Sequence, residues 1–298
     1  MKILFGTVIY EGVKEYLEEF LLSINDQTYN KFDLYIINDG FKDEKLLNSQ
    51  LNLLSIPYVI KKDTERNNPS QLRKKIIDYA LEENYDLLIF GDSDDTFSIN
   101  RVDELVRSVS NEYGFYYNKI FVMNSNNDFF DGRLPEKIDK FNALDDMNFI
   151  GMSNSAINLN TTSNILRKLG ELKNCIAFDW YLYTLLVKHN IHGRLVENAI
   201  TYYRIYHNNI AGDTNKLTLE KLTTGIKVKQ FQYSALKDYD SDFEVKLAEI
   251  NRLGQYLQDD ILREKYILEV NSKFKDSVFW WENIKVIKEE VNRDENEV

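Results

Sequence analysis

This chain holds a single cysteine, fewer bases than acids, and no long apolar run. The lone Cys175 excludes an intramolecular disulfide framework and any multi-cysteine zinc site, and it fits a reducing compartment. Its 48 acidic and 37 basic residues leave a formal charge of -11, which argues against a nucleic-acid partner held through a broad basic face. No stretch approaches the ~18 apolar residues that a membrane-crossing helix requires. Residues 1–10 carry too short an apolar run for a secretion signal and read as a first strand, so the expected location is the cytoplasm. The Gly-x-Gly-x-x-Gly and Gly-x-x-x-x-Gly-Lys phosphate loops are absent, which speaks against Rossmann dehydrogenases and P-loop NTPases. No Gly-x-Ser-x-Gly elbow presents a serine nucleophile.

What the chain does have is material for a sizeable core: 43% of its 298 residues are hydrophobic and 13% aromatic, which argues against disorder. Strand and helix patterns alternate over the first hundred or so residues, the signature of a parallel sheet with crossover helices. Residues 3–9 read as a strand. Residues 13–25 read as an amphipathic helix with Tyr16, Leu17, Phe20, Leu21 and Ile24 at helical spacing. A second strand at 32–37 ends in Asn38-Asp39-Gly40, a third covers 58–60, and a helix over 70–83 follows. The middle is less regular, with a helix at 101–110, an extended piece at 119–123 and a polar passage at 124–148. A strand near Ile157, helices from Asn164 and over 178–188, and an extended pattern over 193–204 complete this part. Beyond Gly212 glycine and proline nearly vanish, and residues 217–237, 243–258, 261–274 and 278–291 are predicted as helices. The expected organisation is a domain over 1–212 and a helical region over 213–298.

The most telling stretch is Ile89-Phe90-Gly91-Asp92-Ser93-Asp94-Asp95, where a short apolar strand runs into three carboxylates. Gly91 lets the backbone turn, so the acids are presented at the carboxyl end of a strand, where α/β folds bind ligands. Carboxylates at alternating positions suit a hard divalent cation, Mg²⁺ or Mn²⁺, that keeps several waters and takes oxygens from a substrate diphosphate. An isolated Asp-x-Asp also serves as an acidic turn capping the next helix through Asp95 or Ser98. Its place behind a strand, and the motifs around it, favour the cation.

Those motifs occur in a telling order. Thr7-Val8-Ile9-Tyr10 precedes a helix, followed by Ser23-Ile24-Asn25-Asp26-Gln27-Thr28-Tyr29 and by Ile36-Ile37-Asn38-Asp39-Gly40. Arg73, Asp92-Ser93-Asp94-Asp95, Phe178-Asp179-Trp180 and the segment Tyr203-Arg204-Ile205-Tyr206-His207-Asn208-Asn209 come after. Together they resemble the family 2 glycosyltransferases of the GT-A fold, over about residues 1–212. The resemblance implies an α/β fold with a GT-A-like, Rossmann-type mixed sheet flanked by helices. The C-terminal helical extension lies outside it. One departure is clear: Phe178 stands where the family has Glu before the catalytic Asp.

The likeness also implies roles. A nucleotide-diphosphate sugar would lie along the backbone of Thr7, Val8, Ile9 and Tyr10, with Asp39 accepting a hydrogen bond from the base. A carboxylate suits the ring N–H of uracil or thymine, since a charge-assisted bond is stronger than a neutral one. Arg73 would neutralise phosphate or lock an acidic neighbour. Asp94 would be the direct ligand of the divalent cation, with Asp92 on the ribose or a metal-bound water, Ser93 in the donor-binding loop, and Asp95 orienting the others. His207 would add a third metal ligand or bind phosphate, joined by Arg204 and Asn209 as donors to phosphate or sugar oxygens. Asp179 would be the general base of an inverting transfer, between aromatic neighbours that raise its proton affinity. Trp180, Ser153 and Asn154 are the candidates for the acceptor side.

The implied activity is transfer of a sugar from UDP or dTDP to a hydroxyl of a glycan or lipid-linked acceptor, with bacterial surface polysaccharide the expected setting. Two alternatives stay open at this stage: a nucleotidyltransferase, and a catalytically silent nucleotide-sugar-binding subunit whose C-terminal helices mediate assembly. Those helices are also the candidate surface for a homodimer. Phe279-Trp280-Trp281, in the last predicted helix, is the candidate for a peripheral membrane contact, although aromatics at helical spacing are more often core.

Overall fold

The computed structural model describes residues 1–125, 127–170, 172–206, 216–273 and 277–285. They fall into two units, one formed by Met1–Ala143 and Ile150–Ile205, the other by Leu144–Phe149 and the described part of Tyr206–Val298. The boundary expected at Gly212 lies outside the described residues.

In the first unit, strands β1 (Ile3–Tyr10), β2 (Asp33–Asp39), β3 (Tyr58–Lys62) and β4 (Leu87–Phe90) are parallel, in the order β3-β2-β1-β4. Strands β1, β2 and β4 are buried along nearly their whole length, because a parallel sheet covered on both faces needs continuous apolar runs. Helices α1 (Leu17–Asn25), α2 (Glu44–Leu51) and α3 (Pro69–Glu82) are the crossovers. Helix α1 buries Leu17, Phe20, Leu21 and Ile24, each worth about 1.5–3 kcal/mol when fully removed from water. It begins later than its pattern predicts, since Glu11–Val13 closes a separate 3₁₀ turn. Helix α3 starts with Asn68 as cap, Pro69 in its first turn and Gln71 completing a reciprocal capping box.

The sheet continues through β8 (Ser155–Asn158), β6 (Phe115–Val122), β9 (Gly193–Tyr203) and β5 (Thr96–Phe97), with β7 (Lys137–Ile138) pairing with β9. Strand β8 is antiparallel to both β4 and β6, so the sheet is mixed. Helices α4 (Arg101–Ser108), α5 (Leu159–Leu166) and α6 (Phe178–Lys188) pack in this half. Helix α5 begins at Leu159, not at Asn164 as expected. The Asn158 side chain caps it, and burial of Leu159, Thr162 and Leu166 stabilises a polar stretch of weak helix propensity.

The second unit holds α7 (Leu219–Leu236), α8 (Asp242–Tyr256) and α9 (Asp260–Lys273). The helix predicted over 278–291 is not found in its described part. Trp280 instead pairs with Asn148 in an antiparallel bridge, with both N–H···O distances at 2.9 Å, and Trp281 has a φ of 66°. Both indoles are buried, in keeping with the core reading of these aromatics. No helix among the described residues is long and apolar enough to cross a membrane.

Candidate active site

The parallel register brings the expected site together at one end of the sheet. Tyr10, last in β1, stands beside Asp39, last in β2, and β4 on the other side of β1 leads into Gly91 and Asp92. At Gly91 a Cβ would come within 2.6 Å of ring atoms of both Phe5 and Phe97. The tight turn therefore needs glycine for close approach.

Beyond Gly91 the side chains alternate. Asp92 and Asp94 are partly exposed, whereas Ser93 and Asp95 are each only 1% exposed. Ser93 Oγ donates to the Val8 carbonyl at 2.7 Å, stitching the loop to β1. Asp95 Oδ1 accepts from the Arg204 backbone N–H at 3.0 Å. Ser153 Oγ accepts from the Asp92 N–H at 3.2 Å. Arg204 braces the loop from outside: its Nε donates to the Asp94 carbonyl at 2.9 Å, its Nη2 to Glu19 at 2.5 Å, and its guanidinium covers the Tyr16 ring.

Arg73, on α3, connects the acidic loop to the fourth carboxylate. Its Nη2 donates to Asp92 Oδ1 at 3.0 Å, and its charge also acts on Asp179 and Asp94. Asp179 lies in the first turn of α6, where its Oδ1 accepts from the Trp180 N–H at 2.7 Å. Burial pushes Asp179 up to about 6 against the counter-effect of Arg73, with Asp92 pushing the same way as burial. Asp94 is also pushed up to about 6, first by burial and then by the charge of Asp92, with Arg73 and Arg204 opposing. Burial, Asp94 and Asp92 raise the Tyr10 phenol to about 12, which places it in the same field. Asp39 is raised by burial and then by Asp63, at the start of the loop after β3.

Several expected assignments change once the side chains are placed. Trp180 is 0% exposed and cannot offer a ring face to a sugar; its indole is core beneath α6. Asn154 is equally buried, with Oδ1 accepting from the Gly151 N–H at 2.7 Å and Nδ2 donating to the Asn118 carbonyl at 2.9 Å. Ser153 and Ser93 are spent on the loop itself, behind the partly exposed Asp92 and Asp94; Asp95 also faces inward. Arg204 likewise holds loop and helix α1 together. Thr7 and Ile9 are buried, Val8 contributes its carbonyl to Ser93, and Tyr10 is exposed at the strand end. His207 and Asn209 lie outside the described residues. Sequence reasoning missed Arg101, which is fully buried and whose donors reach Phe90 and Ser153. The signal was an arginine on the apolar face of the first turn of α4, beside Val102 and Leu105.

Among the described residues no group of three His, Cys, Asp or Glu side chains converges on one point. The donor set would be Asp92 and Asp94, two partly exposed carboxylates on one loop. That fits Mg²⁺ or Mn²⁺, which are held by one or two carboxylates with the rest of the shell from substrate phosphate and water.

The sequence profile of Glycosyl transferase family 2 matches residues 7–163. No curated protein matches the chain. Among solved structures, the chain is similar to the mannosyltransferase PcManGT from Pyrobaculum calidifontis in complex with GDP-Man and Mn²⁺, with a TM-score of 0.54, 9% identity and coverage of 78% of this chain. It spans 63% of that enzyme's length. It is also similar to S. aureus TarS 1-349 in complex with UDP-GlcNAc, with a TM-score of 0.56 and 13% identity over 91% of this chain and 79% of that one. GalNAc-T7 with UDP, GalNAc and Mn²⁺ gives a TM-score of 0.55 at 11% identity, covering 82% of this chain and 54% of that one. At these identities the likeness is one of fold: a mixed sheet flanked by helices, of GT-A type.

Proposed function

Because the chain belongs to glycosyl transferase family 2, we propose that it is an inverting, metal-assisted glycosyltransferase that takes its sugar from a UDP or dTDP donor. The observation that carries this reading is the single guanidinium of Arg73 acting on Asp92, Asp94 and Asp179 at the carboxyl end of the parallel strands. The complexes of the structural neighbours with nucleotide sugars and Mn²⁺ support the same class of ligands. Family membership displaces the nucleotidyltransferase alternative.

In the proposed reaction an acceptor hydroxyl oxygen attacks the anomeric carbon of the donor sugar. The bond from that carbon to the phosphate oxygen breaks, the nucleoside diphosphate leaves with the electron pair, and the hydroxyl proton passes to Asp179. A base with a pKa near 6 is ionised at neutral pH yet basic enough to take a proton as the new bond forms. The Trp180 N–H holds one of its oxygens, which leaves the other for the acceptor. Asp94 and Asp92 would hold the cation, whose chemistry is to offset the charge that develops on the leaving diphosphate. Asp39 would accept from the nucleobase, and Arg73, which donates to Asp92 at 3.0 Å, would hold that carboxylate in orientation. The acceptor proposed is a hydroxyl of a glycan or lipid-linked saccharide in surface polysaccharide synthesis, met in the cytoplasm.

A thermal-shift screen of UDP-, dTDP- and GDP-sugars with and without Mn²⁺ tests the donor, since a ligand that binds only the folded state raises its melting temperature. Stabilisation by a UDP- or dTDP-sugar that grows with Mn²⁺ is expected; stabilisation by GDP-sugars alone would overturn the choice of base. Asp179→Asn then separates enzyme from silent binder: it should bind the stabilising donor like the wild type and transfer nothing. Wild-type transfer rates in that variant would remove Asp179 from the reaction.

A further inference from the structure

Arg101 is the one arginine among the largest fully buried side chains of the described residues, and it makes no direct bond to any carboxylate. Its Nη2 donates to the Phe90 carbonyl at 2.8 Å and to the Ser153 carbonyl at 2.9 Å, and its Nε donates to Asn118 Oδ1 at 3.0 Å. The guanidinium lies 4.4 Å from the Phe97 ring centroid and 5.7 Å from that of Phe5, the two rings that also confine Gly91. Burying a cation in this way is costly unless its donors are well used. Here Nη1 is buried without a hydrogen-bond partner. An apolar residue would fill the space at lower cost, so the charge calls for another explanation.

The acceptors supply it. Phe90 is the last residue of β4, directly before Gly91 and the acidic loop, and the Ser153 side chain takes the Asp92 N–H. Asn118 is tied in turn to Thr201, whose Oγ1 donates to the same Ser153 carbonyl at 2.9 Å. Arg101 thus joins the strand end that enters the loop to the backbone that receives it, from β4, β6 and β9 at once. A fork of N–H donors with fixed geometry does this fully, and a flexible ammonium only in part.

Resting on the glycosyltransferase reading above, we infer that Arg101 is a positioning residue: through the Phe90 and Ser153 carbonyls it sets the spacing of Asp92 and Asp94 for a divalent cation. Groups that orient ligand-bearing residues typically change metal affinity by about tenfold to a hundredfold when removed.

The test compares wild type, Arg101→Met, Arg101→Lys and Thr201→Val, each checked for fold by circular dichroism. Mn²⁺ binding in the presence of UDP is read from the electron paramagnetic resonance of the free ion, and UDP binding without Mn²⁺ by calorimetry. Arg101→Met is expected to weaken Mn²⁺ binding by roughly tenfold to a hundredfold while metal-free UDP binding changes little. Arg101→Lys should recover part of the loss, and Thr201→Val, which removes one of the bonds to Ser153, should show a smaller loss in the same direction. A folded Arg101→Met with wild-type Mn²⁺ affinity overturns the inference. If that variant does not fold, wild-type Mn²⁺ affinity in Thr201→Val overturns it. A wild type that binds neither UDP nor Mn²⁺ overturns the glycosyltransferase reading itself, an outcome distinct from a binding wild type with indifferent variants.

Discussion

Asp146 in the helical unit and Asp94 in the sheet unit both sit among charged side chains, and their surroundings treat them in opposite ways. Burial pushes Asp146 up, but Lys246 at 2.7 and 2.8 Å, the charge of Lys229 and the Tyr233 hydroxyl at 3.2 Å hold it below the usual carboxylate range. Asp94 is pushed to about 6 by burial and by Asp92, and Arg73 and Arg204 do not restore it. In the first case the acid has the counter-charge it needs within the fold, and it pins the segment Leu144–Phe149 to α7 and α8. In the second a neighbouring carboxylate adds to the effect of burial, and raised acids of this kind cluster where ligands bind. The two acids thus differ in the direction of their shift: lysines lower Asp146, and a second carboxylate helps raise Asp94.

The sharpest way to break this contrast is at Asp179. Asp179→Asn should lower kcat on the order of 10³-fold with little change in melting temperature, measured in a transfer assay beside a thermal melt. A loss of stability without loss of transfer would put Asp179 with the structural acids. Gly91→Ala should be next in effect: a Cβ pressed against Phe5 and Phe97 is expected to cost about 2 kcal/mol, read from denaturant unfolding, because neither ring can retreat in the packed core.

The pH profile gives a smaller effect. With Asp179 near 6, kcat should fall by about tenfold for each unit below that value and level off above it, because only the ionised base takes a proton. The same shift has a stability sign. The folded pKa lies above the unfolded one, so the native state binds more protons between the model-compound value of 3.8 and about 6, and stability declines as pH rises across that window. Unfolding of the cation-free protein at pH 4, 5 and 6 measures it.

Asp94→Asn removes the repulsion with Asp92 and should raise the stability of the cation-free fold by about 1 kcal/mol while abolishing Mn²⁺-dependent donor binding. The mirror-image change, Asp146→Asn, should lower stability by no more than about 1 kcal/mol and leave transfer intact, since more than half of that side chain is exposed. If both variants moved stability in the same direction, the distinction drawn between the two acids would fail.

Much of the site is readable from residue order alone. The apolar run of β4 followed by Gly91 and alternating acids predicts both the strand end and the exposure of Asp92 and Asp94, because side chains alternate along extended backbone. Asp39 at the end of β2 follows from the same logic. Which way the remaining polar residues face is not readable. Ser93, Ser153 and Asn154 look like ligand contacts in the sequence, yet their polar atoms turn inward to satisfy backbone groups. Trp180 is similar: next to Asp179 in the chain, it projects about 100° further round a helix that is buried nearly all round, and is itself fully buried. The final predicted helix fails for a related reason, since the Trp280 pairing with Asn148 involves residues far apart in the chain.

The linear order of residues determined the alternation of strand and helix, the parallel start of the sheet and the acids at its carboxyl end, because periodicity and turn residues act over a few positions. Tertiary structure alone brought Lys246 and Lys229 to Asp146, and it drew Arg101 beneath the loop and Arg73 to Asp92 and Asp179. Those choices depend on burial and on partners many residues away, and electrostatic interactions in a low-dielectric interior are set by distance in space, not by distance along the chain.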